Sequence, residues 1–256
     1  MVAAPAAVHA VACARRLPRL GVGLHLVLVE GAPALPPCRV DHLVDERGRF
    51  RSDLVRLGIA IAASRTARRQ LREEIGAQFA AFAATGLPLD HVNAHRHFHL
   101  HPVVASLILE VGAAYGLRAI RAPVEPVALL AAIEPVKRGP SLLVAAAWAR
   151  RMARRCRSAG MLIPDQVFGL AWSGAMIQTR LAGIIDRLPP GLSEIYLHPA
   201  VRDDFVGHAP GYRYRRELDA LTSGSVADAL ARSGVATGSF ATFAAQNSYP
   251  FQRVSS

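Results

Sequence analysis

The sequence predicts an α/β fold built on a parallel sheet, in the form of a (β/α) barrel. Short apolar segments alternate along the chain with longer segments of helical period, which is typical of parallel strands joined by right-handed crossovers. The chain has 256 residues, 52% of them hydrophobic, and a single domain over residues 1–256 is expected because one barrel commonly takes this length. An open doubly wound sheet is the alternative, although the sequence has no glycine-rich dinucleotide turn to support it.

The first predicted strand lies within "LGVGLHLVLVEG", residues 20–31, which is rich in leucine and valine and is bounded by glycines. A short apolar run of this kind is typical of a strand that is covered on both faces. The further segments predicted as strands are 88–94, 117–122, 192–199 and 235–244.

The clearest predicted helix covers residues 65–86 and ends at Gly86, which is placed as a C-terminal stop. The residues that lie along one stripe of this helix are Leu71, Ile75, Gln78, Phe79 and Phe82.

Four later segments are also predicted as helices. The last of them has Ser225 three residues before Asp228, which resembles a capping box, and it ends on glycine. The segments are 103–116, 141–158, 175–188 and 225–234.

The formal charge of the chain is +11, and almost all of the positive charge is arginine, with Lys137 the only lysine. A basic balance favours anionic partners such as phosphate, nucleic acid or anionic lipid. Nucleic acid is the least favoured of these, because no arginine-rich segment is interleaved with aromatic residues, which make up only 6% of the chain. The run "RRMARRCR", residues 150–157, is expected to be either a solvated helix face or a contact with anionic lipid.

Cysteine usage and the N-terminus indicate the compartment. Cys13, Cys38 and Cys156 are scattered and form no CxxC pair, which favours a reducing cytoplasm over a disulfide framework. The first residues place small and apolar side chains before the charges, the reverse of a secretory signal. We expect a cytoplasmic protein, peripheral to the inner membrane if the basic run contacts lipid.

Histidines carry the strongest functional signal. In "HVNAHRHFHLHP", residues 91–102, histidine stands at every second position from 95 to 101, and an extended chain would place these side chains on one face. His101, directly before Pro102, is assigned to the turn. His25 and His198 lie in or near two other predicted strands, and a barrel keeps its chemistry at the carboxyl ends of its strands. We therefore expect these segments to meet in a metal or substrate site.

The expected metal chemistry needs a carboxylate as well as histidine. A hydrolytic site usually takes three protein ligands and leaves one position for water, and harder ions in particular require carboxylate. Asp90 lies at the start of its predicted strand, away from the histidines. Glu30 follows the strand that carries His25 and is the alternative acidic ligand, although a loop residue is the preferred interpretation. For His25 taken alone, a core histidine bonded to a backbone carbonyl is the alternative.

These segments resemble the YdjC-like carbohydrate deacetylase family, also called the ChbG/HpnK family. The likeness runs from the first residues to about position 240 and rests on "GVGLHLVLVEGAPALPP", "HVNAHRHFHLHP", "EIYLHPA" and "GYRYRRELDALTS". The wording "VFGLAWSGAM", residues 167–176, is similar to the hopanoid-biosynthesis branch, HpnK. Together these motifs are specific, whereas any one alone would be weak.

The resemblance implies a (β/α) barrel that binds a divalent metal, magnesium or zinc, and removes an acetyl group from an N-acetylated sugar. For the branch in question, the implied substrate is a hopanoid glycolipid that bears N-acetylglucosamine. It implies His25 and His95 as metal ligands and His198 as the catalytic group that donates a proton or stabilises the oxyanion. The implied substrate-binding or supporting residues are Asn93, His97 and His99.

The chain departs from the family pattern at two places. Asn93 stands where the family has an aspartate, so it keeps the shape of a contact to a ligand but loses the charge. Family members begin with a strand that ends in a motif like "NADDFG", whose aspartates supply the third metal ligand and the base, and the resemblance implies that this chain starts after that strand and its helix.

Two expectations follow from the second departure. Either a form of the protein with the upstream segment is the deacetylase, or the chain is a truncated, inactive homologue. A barrel without one βα unit exposes two strand edges, so we also expect the chain to be poorly soluble or to form a homodimer.

Overall fold

The computed structural model of the chain describes residues 1–136 and 140–246, with the side chains of 140–143 excepted. Lys137 therefore lies outside the described residues. The chain divides into two compact units. The first contains Met1–Arg121, Arg151–Ile163 and the described residues from Gly238 onward, and the second contains Ala122–Arg150 and Pro164–Thr237.

The described elements alternate between helix and strand along much of the chain. The strands are β1 (Leu24–Leu26), β2 (Val92–Ala94), β3 (Gln166–Phe168) and β4 (Ser193–Ile195). The α-helices are α1 (Ala7–Arg15), α2 (Leu54–Ala63), α3 (Arg65–Ala83), α4 (Pro102–Ala113), α5 (Val127–Ala131), α6 (Pro140–Ser158), α7 (Gln178–Ile185), α8 (Tyr214–Leu221), α9 (Gly224–Ser233) and α10 (Phe240–Gln246). Short 3-10 helices cover Pro37–Arg39 and His95–Leu100.

In the first unit, β1 and β2 pair in parallel, with His25 opposite Asn93. Parallel bridges from Val92 to Ile120 and from Ala119 to Leu162 continue the pairing beyond the two strands. Leu24 and Leu26 are almost completely buried on one face of β1, whereas His25, between them, points to the other face and is partly buried.

Helix α3 lies against β1 and α4 and buries the stripe that its sequence predicts. The side chain of Ser64 accepts the N–H of Ala67 and so caps the helix, and Gly86 follows its end in the left-handed region at φ 71°.

Two polar residues of α3 face inward and hold the chain that follows β1. The backbone N–H groups of Ala34 and Leu35 donate to the two carboxylate oxygens of Glu74, at 2.8 and 3.0 Å. Gln78 accepts the N–H of Val27 and donates to its carbonyl. Both side chains are buried, so their hydrogen bonds fix an irregular segment that has few backbone partners of its own.

In the second unit, β3 and β4 also pair in parallel, with Val167 opposite Glu194. The N–H of Val167 donates to the carbonyl of Val124, which places a third extended segment beside β3. The core of this unit lies between β3 and helices α7 to α9 and includes Phe168, Trp172, Met176, Leu181 and Ile184.

The structure is a mixed α/β fold with parallel pairing, as predicted, whereas closure into a barrel stays a prediction. Segment 117–122 forms only single bridges rather than a regular strand. The sequence pattern did not predict β3 or the helices α1, α2, α5 and α8, of which α8 lies within "GYRYRRELDALTS".

Two further predictions are wrong. Residues 235–244 form no strand, because their second half is α10, whose first N–H groups, at Phe240 and Ala241, donate to the Asp90 carboxylate. The capping box at Ser225 is absent, because α9 already starts at Gly224 and Ser225 instead accepts a hydrogen bond from Gln178.

Among the described helices, none combines the length and the apolar character that passage through a bilayer requires. The arginines of residues 150–157 are exposed, as a solvated face and a lipid contact would both require.

Replacing Glu74 with glutamine should lower the free energy of unfolding by about 1–3 kcal/mol, measured by chemical denaturation. The amide has one oxygen where the carboxylate uses two, so one buried N–H group loses its acceptor. The matched control is E73Q on the same helix, because the Glu73 side chain is 37% exposed and pairs with Arg39 at the surface. That change should cost less than about 1 kcal/mol, and equal losses in the two variants would contradict the anchoring role.

Candidate active site

The histidine run does not continue β2 as an extended chain. Residues His95–Leu100 form a 3-10 helix in which Arg96 and His97 take left-handed conformations, at φ 54° and 53°. The prediction that the alternating histidines share one face is therefore wrong, because two successive left-handed residues turn the chain directly after the strand. Such conformations are costly for residues other than glycine and are often kept at functional sites.

The turn gives each later histidine a different environment. His99 is fully buried, and its Nε2 donates to the carbonyl of Arg121 at 2.8 Å. Burial lowers the pKa of His99 well below its ordinary value, so the ring is neutral. His101 precedes the first residue of α4 and belongs to the turn, as predicted. His97 stays partly exposed, with its ring centre 5.9 Å from that of His99.

His25 and His95 come together at the ends of the paired strands. Their ring centres lie 5.9 Å apart with an angle of 70° between the ring planes. His25 Nδ1 lies 2.5 Å from Asn93 Oδ1, the residue opposite it in the sheet. With the Asn93 amide oxygen on this side, as the structure places it, His25 donates from Nδ1 and presents the lone pair of Nε2.

Glu30 lies in the loop after β1, as predicted, and its carboxylate contacts His95. It takes the left-handed conformation at φ 58°, and its Oε2 lies 3.2 Å from His95 Nε2 while Oε1 lies 3.5 Å from Arg96 Nη1. Glu30 therefore contacts a predicted metal ligand, whereas the sequence showed only that it follows a strand. Asp90 does lie away from the histidine pair, as predicted, and contacts His91 and α10 instead.

The ring geometry fits a shared metal ion in part. A nitrogen–metal bond of about 2.0–2.1 Å puts the ion about 3.2 Å from each ring centre, so two rings that share an ion have centres within about 6.4 Å. The 5.9 Å between His25 and His95 meets this limit. Within the ranges that the structure describes, however, no three side chains of His, Cys, Asp or Glu are arranged as ligands of one ion.

His198 lies in the second unit, just beyond the end of β4. The buried carboxylate of Glu217, on α8, accepts the backbone N–H groups of both His198 and Met176. One of its oxygens also lies 3.9 Å from His198 Nδ1. The rings of Tyr196 and Tyr212 meet the imidazole edge-on, with centres 5.6 and 5.1 Å away.

A carboxylate also holds the loop after β3. The Glu125 carboxylate accepts the N–H groups of residues 169–171, and burial raises the pKa of Glu125 despite these hydrogen bonds. Gly174 has φ 73°, and a Cβ there would lie 2.2 Å from the Tyr212 ring, so only glycine fits. Glu125 and Glu217 were not predicted from the sequence. Glu217 does lie in "GYRYRRELDALTS", one of the segments that carry the resemblance, and this was the available signal.

Comparisons with known proteins agree on one family. The family model for YdjC-like proteins matches residues 1–232. The chain is 30% identical to a carbohydrate deacetylase of Geobacillus stearothermophilus over 236 residues, 90% of this chain and 79% of that one. It is 31% identical to a chitooligosaccharide deacetylase of Serratia marcescens over 245 residues, 94% of this chain and 85% of that one.

A solved structure shares the fold. It is an Enterococcus faecalis V583 protein described as a cellobiose-phosphate cleavage protein, and it superposes with a TM-score of 0.71 at 22% identity over 95% of this chain and 85% of that one.

The pH dependence of stability should reveal the neutral state of His25. Burial lowers the pKa of His25 from 6.5 to about 3, so the unfolded chain takes up a proton there that the folded chain refuses. The contribution of His25 to the free energy of unfolding is therefore complete above pH 6.5. It decreases as the pH falls towards 3, by at most about 1.4 kcal/mol per pH unit.

In H25Q, measured with chelator present, the free energy of unfolding should fall less steeply than in the wild type between pH 6.5 and 4. The two slopes should agree above pH 7. Parallel curves across the whole range would contradict the burial of a neutral His25.

Proposed function

The chain belongs to the family of YdjC-like proteins, and we propose that it is a hydrolase that removes the acetyl group from an N-acetylated sugar. The relatives named as carbohydrate and chitooligosaccharide deacetylases support this reaction. The observation that carries the proposal is the pairing of His25 with His95 beside a strand end, with His25 oriented by Asn93.

We assign the divalent ion, zinc or magnesium, to His25 and His95. When bound, such an ion polarises the acetamide carbonyl and lowers the pKa of a bound water. The family resemblance calls for an acidic ligand in addition, and Glu30 is the carboxylate that contacts His95 in this chain. We therefore add Glu30 to the proposed set.

The other predicted residues take separate roles. Asn93 holds the His25 ring, so that Nε2 stays available as a ligand. His97, which is partly exposed, is proposed to contact the sugar. His99 is fully buried and bonded to the Arg121 carbonyl, which favours support of the turn over contact with substrate.

The leaving amine needs a proton, and we assign its donation to His198. The His198 backbone is fixed by Glu217, and its ring is held between Tyr196 and Tyr212. A positioned imidazole of this kind suits general acid catalysis.

The substrate that we propose bears N-acetylglucosamine, and its lipid part is a hopanoid. The sugar follows from the family reaction. The hopanoid part rests on the likeness of residues 167–176 to that branch. Contact of the exposed arginines of residues 150–157 with anionic lipid is the matching proposal for the membrane surface.

One observation favours a second candidate, an inactive homologue. In the described part of the chain, His25 and His95 lack a third side chain in ligand geometry. If this state persists in solution, the chain binds metal weakly and releases no acetate.

Incubation with N-acetylated chitooligosaccharides and zinc or magnesium should release acetate, measured by an enzyme-coupled assay. H95Q removes a direct ligand, so it should lose more than about 100-fold in rate, beyond the usual effect of outer contacts. H9Q, on the exposed face of α1, is the control and should keep the wild-type rate. No acetate from folded protein that binds zinc would refute the deacetylase proposal, and no acetate together with no zinc binding would establish the inactive homologue.

H198Q should lower kcat by about 10²–10⁴-fold, as expected for loss of a general acid or base. Zinc affinity, measured by calorimetry, should stay at the wild-type value because His198 is not among the proposed ligands. A loss of zinc affinity in H198Q would show that the assigned role is wrong.

A further inference from the structure

A chain of hydrogen bonds leads from a buried carboxylate to His25. Asp90 Oδ2 lies 2.9 Å from His91 Nδ1, His91 Nε2 lies 3.3 Å from Asn93 Nδ2, and Asn93 Oδ1 lies 2.5 Å from His25 Nδ1. We propose that Asp90 is a positioning residue for His25 and fixes its tautomer through His91 and Asn93. The proposal rests on the metal site proposed above and extends it to residues that do not touch the ion.

The direction of each hydrogen bond follows from Asp90. Burial raises the pKa of Asp90, but hydrogen bonds from His91 and Ala241 outweigh that effect and leave the pKa below its ordinary value, so the carboxylate is ionised. An ionised carboxylate only accepts, so His91 must carry its proton on Nδ1. In the neutral form of the ring, His91 Nε2 is then an acceptor.

The same reasoning continues to the ligand. An acceptor at His91 Nε2 requires the NH₂ group of Asn93 on that side, which turns the amide oxygen towards His25. His25 then donates from Nδ1 and keeps the lone pair on Nε2, the nitrogen proposed to bind the ion. Without Asp90, the opposite set of tautomers and the flipped amide would satisfy the other links equally well.

We call the hydrogen-bonded series Asp90–His91–Asn93–His25 the relay. Its side chains are closely packed and have little freedom to move. Asp90 and Asn93 are 6% and 7% exposed. A Cβ at Gly23 would lie 2.5 Å from His91 Cε1, and the Phe240 ring packs over His91 with centres 4.5 Å apart. The backbone N–H groups of Phe240 and Ala241 also donate to Asp90, which holds the carboxylate from its far side.

The relay also accounts for the departure at position 93. The resemblance calls for an aspartate beside the ligand, and an aspartate would hold the His25 tautomer by itself. Asn93 has no such preference, because its amide can face either way. In this chain the preference comes from Asp90, two hydrogen bonds further from His25.

The test uses metal-free protein with ¹⁵N-labelled histidine, read by long-range ¹H–¹⁵N spectra at neutral pH. The wild type should show His25 and His91 protonated on Nδ1. In D90N the amide keeps its oxygen towards Ala241 and its NH₂ group towards His91, so each later link should invert and His25 should become protonated on Nε2. Zinc affinity, measured by calorimetry, should fall about 10–100-fold in the same variant.

A second variant separates this role from the contact of Asp90 with α10. In D90N/N93D the new carboxylate accepts from His25 Nδ1 directly, so the Nδ1–H tautomer and the zinc affinity should return although the α10 contact is still altered. D53N, which alters the cap of α2, is the matched control and should leave the His25 tautomer unchanged.

Each outcome decides the proposal. Unchanged His25 tautomer in D90N, or an affinity loss that N93D fails to restore, would overturn the relay. Absence of zinc binding in the wild type would refute the proposed metal site, and the tautomer spectra would still decide whether Asp90 orients His25.

Discussion

The parallel register of β1 and β2 is the constraint on which the candidate site depends. It sets His25 opposite Asn93, and the short hydrogen bond between their side chains gives one imidazole a defined orientation. A shift of one residue would turn His25 to the other face of the sheet. Such a shift is unfavourable because Leu24 and Leu26, the buried residues on either side of His25, would be moved out of the core.

Buried or partly buried carboxylates hold the loops of both units. Glu74, Glu125, Glu217 and Asp90 each accept two or more backbone N–H groups from segments distant in sequence. An irregular loop has no ladder to satisfy its N–H groups, and one acceptor-only side chain can satisfy several of them. The same arrangement fixes the loops that carry the candidate functional residues, so the stability of the fold and the geometry of the sites depend on the same carboxylates.

Backbone strain concentrates where the histidines meet. Among the described residues other than glycine, those with positive φ are Glu30, Arg96 and His97, and all of them lie around His95. Strained residues persist where the surrounding contacts hold them in place. Here the contacts are the parallel sheet on one side of the turn and, on the other, the buried His99 with its hydrogen bond to the carbonyl of Arg121. This concentration sets the histidine turn apart from the other loops of the chain.

The sequence alone determined the parallel α/β class, the stripe of α3 and the identity of the histidines, because these depend on local periodicity and residue type. The resemblance of the histidine motif also predicted that Asn93 contacts a proposed ligand, and the structure pairs Asn93 with His25. Only the tertiary structure decided that the histidine run turns, that His99 is buried, that Glu30 reaches His95 and that Asp90 connects to His25. The physical reason is that a left-handed turn and a hydrogen bond across 65 residues or more depend on packing between distant segments, and no local pattern encodes them.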